Sequence, residues 1–89
     1  MGWRIEFEQA ASKELTKLDR QVAQRIVEFL RKRVAPLVDP RSLGQSLQGA
    51  RFGEFWKYRV GDYRVIARIE DRQLRILVVR IGHRGDVYR

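Results

Sequence analysis

Cysteine is absent from this 89-residue chain, and histidine occurs once, at His83. Without cysteine the chain can form no disulfide framework, no thiolate nucleophile and no cysteine-based zinc site. One histidine is too few for a histidine-rich metal site or for a pair of histidines that act as acid and base in a ribonuclease. These absences exclude most common catalytic centres, and we expect the protein to need neither a metal nor another cofactor.

Long apolar segments are absent as well. The longest apolar run, 76–79, is far shorter than the roughly 20 residues that cross a bilayer, and no signal-peptide segment follows the charged start. We therefore expect a cytoplasmic protein with no membrane partner. The length predicts a single domain over 1–89, because a chain of this size buries only about 60 to 65% of its unfolded surface. Any binding site is expected on an open surface.

Positive charge is in excess, with nineteen Lys or Arg residues against eleven Asp or Glu residues and a formal net charge of +8. On so small a protein this charge produces a field that attracts nucleic acid or an acidic protein. Small soluble proteins can also be basic without binding nucleic acid. Charge alone therefore leaves both interpretations open.

The N-terminal part has two different apolar periodicities. Apolar and charged residues alternate over 3–8, which predicts a short strand. From Ala10 the apolar spacing becomes three or four residues, which predicts one helix that ends near Asp19 and a second that follows it directly. Pro36 ends the second helix because its ring clashes with the preceding turn. The two helices are expected to form a hairpin around Asp19-Arg20.

Residues 36–81 are predicted to form a loop followed by strands. Residues 36–53 contain proline and glycine and are expected to be irregular, with Leu43 and Leu47 holding the loop on the core. Gly61-Asp62 and Asp71-Arg72 then separate strand-like runs, and such short separations favour antiparallel hairpins, the first with a type II′ turn. The three runs are Glu54–Val60, Tyr63–Glu70 and Gln73–Ile81. The predicted fold is α+β: an N-terminal strand, a two-helix hairpin and a three-stranded antiparallel meander, with the helices packed on one face of the sheet.

Strand alternation assigns each residue of the meander to one face of the sheet. The face expected to pack on the helices is almost wholly apolar: Trp56, Tyr58, Val60, Tyr63, Val65, Ala67, Ile69, Leu74, Ile76 and Val78. The opposite face combines Lys57, Arg59, Arg64, Arg68 and Arg75 with Phe55, Ile66, Leu77, Val79 and Ile81, and continued alternation adds His83. Cations cannot lie in a dry core without paired carboxylates, so we expect this face to be open. It serves either to bind a polyanion or only to keep the sheet soluble.

Several motifs occur along the chain in a specific order. They are Lys13-Glu14-Leu15, Lys17-Leu18-Asp19, Leu47-Gln48-Gly49, Trp56-Lys57-Tyr58-Arg59-Val60-Gly61-Asp62-Tyr63-Arg64-Val65-Ile66, Ile81-Gly82-His83-Arg84 and Val87-Tyr88. With these motifs the chain resembles the RelE family within the RelE/ParE superfamily of bacterial and archaeal type II toxins. The resemblance covers nearly the whole chain and implies the same order of strand, helices and antiparallel sheet. Its most specific part is the RVGDYR hairpin followed by GHR and VY.

The resemblance to RelE implies a toxin that enters the ribosomal A site and cuts messenger RNA there without a metal. It also implies three partners: the ribosome, the message and a cognate RelB-like antitoxin, which we expect to be acidic and partly disordered. ParE-like members of the superfamily share the fold but inhibit DNA gyrase instead, and fold alone cannot separate the two activities. A module that binds RNA or antitoxin with weak catalysis or none is the third alternative.

By motif position, Lys57, Arg64, Arg84 and Tyr88 match the residues that RelE-like enzymes place around the scissile phosphate. An arginine fork such as Arg64 can grip two phosphate oxygens, and a nearby lysine adds a point charge. Arg84 is expected to neutralise or protonate the leaving oxygen. For Tyr88 two roles stay open, a general base whose pKa is lowered by nearby cations, and an aromatic platform that stacks on a base.

The remaining candidates are expected to bind RNA. Arg59 and Arg68 contact the RNA backbone or form a merely solvated face, and His83 is an alternative general acid or base because its ordinary pKa is near neutrality. One position departs from the family pattern. Many relatives carry a second lysine two positions before the match to Lys57, where this chain has Phe55.

Overall fold

The computed structural model describes residues 2–47 and 55–83, which form two α-helices and one five-stranded sheet. The strands are β1 (Arg4–Phe7), β2 (Gln45–Ser46), β3 (Phe55–Val60), β4 (Tyr63–Glu70) and β5 (Arg75–His83). The helices are α1 (Gln9–Thr16) and α2 (Arg20–Phe29), and α2 runs directly into a π-helical turn over Leu30–Val34. Short 3₁₀ turns occupy Pro40–Leu43 and Asp71–Gln73.

The sheet has the strand order β1-β5-β4-β3-β2. Strand β1 pairs with β5 in parallel, and the other neighbouring strands are antiparallel. The helices bury Ala11, Ile26 and Leu30 against one face of the sheet, where Val65 and Ile76 are also buried. This arrangement confirms the predicted α+β fold. Among the described residues, the helices lack the length and the apolar composition of a membrane span.

The helical hairpin forms where the sequence predicts it. Asp19 caps α2, because its carboxylate accepts a hydrogen bond of 3.1 Å from the backbone N–H of Gln21. The helical path ends before Pro36, as predicted, but its last turn widens. The backbone N–H of Ala35 donates to the carbonyl of Leu30 at 2.8 Å, a spacing of five residues that is typical of a π-turn.

The segment 36–47 is more ordered than an irregular loop. Its strand β2 pairs with β3 by setting Gln45 opposite Lys57, which the sequence analysis did not predict. Leu47 is buried as expected, although it packs on Ile66 and therefore on the face of the sheet away from the helices. The prediction for Leu43 was wrong, since 40% of this residue is exposed. Residues 48–53 of the predicted loop lie outside the described residues.

The two hairpin predictions had different outcomes. Val60 pairs with Tyr63 as predicted, and Gly61 has a φ of +60° while Asp62 has a negative φ, which agrees with a type II′ turn. The second connection is longer than predicted. Glu70 pairs with Arg75, so the chain needs a 3₁₀ turn and one left-handed residue to reverse its direction. That residue is Leu74, which is 45% exposed and does not join the apolar face.

A β-bulge changes the faces of β5. Ile66 pairs with Arg80 and Ala67 pairs with Val78, so one residue of β5 has no partner position in β4. After this irregularity Ile81 pairs with Val65 and is buried in the core beneath the helices. Placing Ile81 on the open face was therefore wrong, because alternation from Arg75 onward does not allow for an extra residue.

The bulge also places His83 on the opposite face of the sheet from the predicted one. His83 pairs with Tyr63, and the two rings meet edge to face with 5.4 Å between their centroids. Tyr63 packs against the helix-side core, so His83 lies on that side of the sheet and does not share the open face. Glu14 of α1 holds the bulge by accepting hydrogen bonds from the backbone N–H of Ile81 at 2.7 Å and from Nε of Arg80 at 3.2 Å.

Replacing Leu74 with asparagine is expected to stabilise the protein. Leu74 has a φ of +50°, a conformation that costs a branched side chain about 1 to 2 kcal/mol and that asparagine tolerates. Little packing is lost because 45% of the residue is exposed. We expect the free energy of unfolding in urea to rise by about 0.5 to 1 kcal/mol. Leu43→Asn, at a similarly exposed leucine with no positive φ, is the control, and an equal rise in both variants would contradict this interpretation.

Candidate functional site

Cross-strand pairing sets a group of cations on the face of the sheet away from the helices. Arg59 of β3 pairs with Arg64 of β4, Lys57 pairs with Ile66, and Phe55 pairs with Arg68. Paired residues point to the same face, while their neighbours in the chain, Tyr58 and Val65 among them, are buried beneath the helices. The predicted basic face is therefore present.

One end of this basic face is neutralised by carboxylates. Arg75 donates from Nε to Glu70 at 2.5 Å and from Nη1 to Glu6 at 2.9 Å, and the bond to Glu70, followed by that to Glu6, raises the pKa of Arg75. Arg68 lies 3.9 Å from Glu70 and stacks over the ring of Phe55, with 5.5 Å from its guanidinium carbon to the ring centroid. Arg75 was predicted as an open cation, but it belongs to a structural ion cluster.

The other end of the basic face carries Arg59 and Arg64, and its charge is not neutralised in this way within the described chain. Among the described residues, neither Arg59 nor Arg64 forms an ion pair with a carboxylate. Arg64 is half-buried, and its Nε and Nη1 atoms are fully buried without a hydrogen-bond partner in the parts of the chain that the structure describes. Burying a charged donor without an acceptor is costly. The fork of a guanidinium suits a planar or tetrahedral oxyanion, which would bind through donors that reach the solvent.

Arg64 opens into a cleft of about 330 Å³ at the β3 side of the sheet. Lys57 and Arg59 line the cleft beside it. The rest of the lining consists of Gln45 and the apolar residues Phe29 and Leu43. The cleft thus has a cationic wall made by the sheet and an apolar wall made by α2 and the segment before β2.

The segment before β2 is held in place by a buried tyrosine and an ion cluster. The hydroxyl of Tyr58 donates to the carbonyl of Pro40 at 2.7 Å, and both residues are buried. Arg41 bonds to Asp71 at 2.6 Å, which lowers the pKa of Asp71 and raises that of Arg41. Gly44 allows the close approach, since a Cβ there would lie 3.1 Å from Cε1 of Tyr58.

Tyr58→Phe is expected to lower stability at neutral pH and to change its dependence on alkali. The variant leaves the carbonyl of Pro40 unpaired, which costs about 1 to 3 kcal/mol of unfolding free energy. Burial also raises the pKa of Tyr58 from 10.0 to about 12. Between these values the unfolded phenol loses its proton first, so stability falls as the pH rises from 10 to 12.

Urea unfolding of the wild type and Tyr58→Phe across this pH range isolates the contribution of the Tyr58 hydroxyl. The alkaline fall should be smaller in the variant by on the order of 2 kcal/mol. Tyr63→Phe, at a half-buried tyrosine, is the matched control for removing a hydroxyl. Parallel pH profiles for the wild type and Tyr58→Phe would contradict the assignment.

The structure brings together some of the predicted site residues. Lys57, Arg59 and Arg64 line one cleft, whereas Arg68 lies on the same face next to Phe55 and Glu70, and His83 lies on the other side of the sheet. Arg84 and Tyr88 lie outside the described residues. Sequence reasoning missed Gln45, Leu43 and Phe29 as cleft residues. A two-residue strand has no periodicity to detect, and the spacing of Phe29 is that of a core position in a helix.

Comparison with known proteins places the chain in a family. Residues 5–88 match the sequence profile of the ParE toxin family, described as the ParE toxin of the type II toxin-antitoxin system parDE. Toxin RelG of Mycobacterium tuberculosis is 30% identical over 89 residues, which cover 100% of this chain and 99% of that protein.

Solved structures agree with this assignment. The RelBE2 toxin-antitoxin complex of Mycobacterium tuberculosis matches with a TM-score of 0.84 and 26% identity over 97% of this chain and 95% of that one. The archaeal RelE-RelB complex of Pyrococcus horikoshii matches with a TM-score of 0.69 and 26% identity over 98% of this chain and 100% of that one. The resemblance inferred from the motifs is thus confirmed, and the chain belongs to the ParE toxin family, within the RelE/ParE superfamily of type II toxin-antitoxin toxins.

Proposed function

We propose that this toxin is a ribosome-dependent endoribonuclease that cuts messenger RNA in the A site by attack of a 2′-hydroxyl on the adjacent phosphorus. The observation that carries the proposal is the cleft in which Arg64, which forms no ion pair with a carboxylate of the described chain, lies beside Lys57 and Arg59. An RNA phosphate is an acceptor of the right charge and geometry for these donors.

The reaction requires charge stabilisation and two proton transfers. The bond from the 2′-oxygen to phosphorus forms, the bond from phosphorus to the 5′-oxygen breaks, and the products are a cyclic phosphate and a 5′-hydroxyl. Arg64 grips the non-bridging oxygens, whose negative charge grows in the transition state, and Lys57 adds a second positive charge. The electrostatic part of the chemistry is therefore assigned to the sheet.

Proton transfer is assigned by motif position to the segment after β5. Tyr88 takes the proton of the 2′-hydroxyl, Arg84 stabilises the negative charge on the leaving 5′-oxygen, and that oxygen takes a proton from water to give the 5′-hydroxyl. Arg59 continues the line of cations and contacts the RNA backbone, and Arg68 extends it along the same face. His83 lies opposite Tyr63 on the helix side of the sheet, so we assign it no role in the reaction.

The ribosome supplies the alignment that the open cleft lacks. A cleft of about 330 Å³ on the surface of a small sheet holds about one nucleotide and cannot by itself fix the angle between the attacking and leaving oxygens. A message held in the A site is already oriented. The protein therefore acts in the cytoplasm, where translating ribosomes are found.

We further propose a cognate antitoxin as the protein partner. The solved relatives include toxin-antitoxin complexes from Mycobacterium tuberculosis and Pyrococcus horikoshii. The net charge of +8 and the basic face favour an acidic, partly disordered chain that covers the cleft.

The test is cleavage of a defined message on ribosomes with an occupied P site and an empty A site, with the ends mapped by primer extension. We expect a cut inside the A-site codon and none when ribosomes are omitted. If a folded and toxic protein gave no cut, inhibition of DNA gyrase in a supercoiling assay would become the better hypothesis. If the folded protein were neither toxic nor active, a binding module without catalysis would replace the proposal.

A further inference from the structure

We infer that the cleft contains a nucleobase subsite formed by Leu43 and Gln45, which determines the nucleotide preference of the toxin. The inference rests on the proposed function, because it places an RNA phosphate on Arg64. It goes beyond that function by assigning a second part of the nucleotide to residues outside the sheet cations. The ligand class is the base of the nucleotide whose phosphate Arg64 holds.

The apolar wall of the cleft is the first observation. A phosphate and a ribose explain Lys57, Arg59 and Arg64, and packing on the core explains Phe29, but neither explains why Leu43 completes the lining. Leu43 is one of the few large apolar residues of the described chain that stay exposed, at 40%. A flat apolar base can cover such a surface, whereas a sugar-phosphate cannot.

Gln45 is the second observation. It sits directly opposite Lys57 in the β2–β3 pair, so its side chain lies on the cation side of the cleft. A glutamine amide offers two N–H donors and one carbonyl acceptor, which matches the edge of an unpaired base. The apolar wall would then hold the plane of the base while Gln45 contacts its edge.

The rigidity of the segment that carries Leu43 and Gln45 is the third observation. Tyr58 fixes the carbonyl of Pro40, and Arg41 ties the same turn to Asp71. Leu43 ends this turn, and Gln45 follows it two residues later. Pairing of β2 with β3 then fixes Gln45 opposite Lys57. Discrimination between bases needs a contact held in one place, and the anchored turn together with the pairing of β2 on β3 provides it.

Binding to the isolated, full-length toxin tests the subsite without requiring catalysis. Nucleoside 5′-monophosphates and ribose 5-phosphate are titrated separately into ¹⁵N- and methyl-labelled protein and followed by NMR. We expect at least one nucleotide to bind about fivefold or more tightly than ribose 5-phosphate, and to shift the methyl signals of Leu43 and the side-chain amide of Gln45. Ribose 5-phosphate should shift signals near Arg64 and leave Leu43 unchanged.

Matched variants separate the subsite from a general surface effect. Leu43→Ser should remove the advantage of the nucleotide over ribose 5-phosphate, whereas Leu74→Ser, at a leucine that is 45% exposed outside the cleft, should keep it. Gln45→Met should reduce the differences among the four nucleotides, and Gln24→Met, at an exposed position of α2, should not. Equal affinity for nucleotides and ribose 5-phosphate, or unmoved Leu43 signals, would overturn the inference.

Ribosomal cleavage provides the second readout. With messages that carry each of the four bases beside the cut, Gln45→Met should even out the cleavage rates. Gln45→Glu, which can only accept hydrogen bonds, should shift the preference toward guanine, whose N1 and N2 both donate. Cleavage with unchanged base preference in both variants would refute the subsite and leave the proposed nuclease intact. Base-dependent binding without any cleavage would refute the nuclease and support the subsite.

Discussion

Arg64→Ala is expected to lower the rate of message cleavage on the ribosome by about 10²- to 10³-fold, the usual effect of removing one donor from a preorganised anion site. Arg64 lines the cleft and forms no ion pair with a carboxylate of the described chain, so its charge is available to a phosphate. Single-turnover cleavage of a programmed ribosome measures the effect directly. Arg64→Lys should restore only part of the rate, because an ammonium keeps the charge but cannot form a bidentate grip.

Arg68→Ala is the matched control for Arg64→Ala. Both arginines lie on β4, face the same side of the sheet and have a buried Nε without a partner in the described chain. Arg68, however, stacks on Phe55 and lies near Glu70, outside the lining of the cleft. Its removal should cost less than about fivefold, the size of a partly exposed charge contact. Equal losses in the two variants would show that the rate depends on the overall charge of the face and not on the cleft.

Ile81→Ala is expected to lower the free energy of unfolding by about 2 to 5 kcal/mol. The bulge in β5 turns Ile81 into the core, where only 1% of the residue is exposed and Val65 is its cross-strand partner. Truncation therefore leaves a cavity between the sheet and the helices. A loss of this size is a large part of the stability of a typical small domain.

Val79→Ala gives the matching measurement on the opposite face of the sheet, at the residue of β5 that has no partner in β4. Val79 is a half-buried residue of the small cluster formed by Leu47 and Ile66, so its truncation should cost about 1 kcal/mol or less. Urea unfolding curves with equal slopes allow the two variants to be compared. If both variants lost the same small amount, strict alternation through β5 would be the better description and the bulge would be wrong.

The part of the fold that sequence could predict depends on local chemistry. The spacing of apolar residues predicted both helices and the turn between them around Asp19-Arg20, and Gly61-Asp62 set the register of the hairpin Val60–Tyr63. That register fixes the common face of Lys57, Arg59 and Arg64. Each of these features is decided by residues close together in the chain, and for this reason the cationic half of the cleft was predictable.

The features that sequence could not predict depend on contacts between distant segments. The bulge that buries Ile81 and moves His83 is fixed by pairing with β4 and by Glu14 from α1. Strand β2 is too short to have a pattern, and it exists because β3 offers an edge beside Lys57. The apolar half of the cleft follows from β2 and α2 meeting at that edge, so neither Leu43 nor Gln45 carries a local signal.

The order of strands also constrains when the fold can be completed during synthesis. The strand β1 is made first during synthesis, yet its neighbour in the sheet is β5, which is made after all the others. Until β5 has emerged from the ribosome, β1 has no partner and the helices cover an incomplete sheet. Contacts between distant parts of a chain also slow folding. The sheet is therefore completed only after its last strand has been made, and an activity that needs the folded protein is delayed until then.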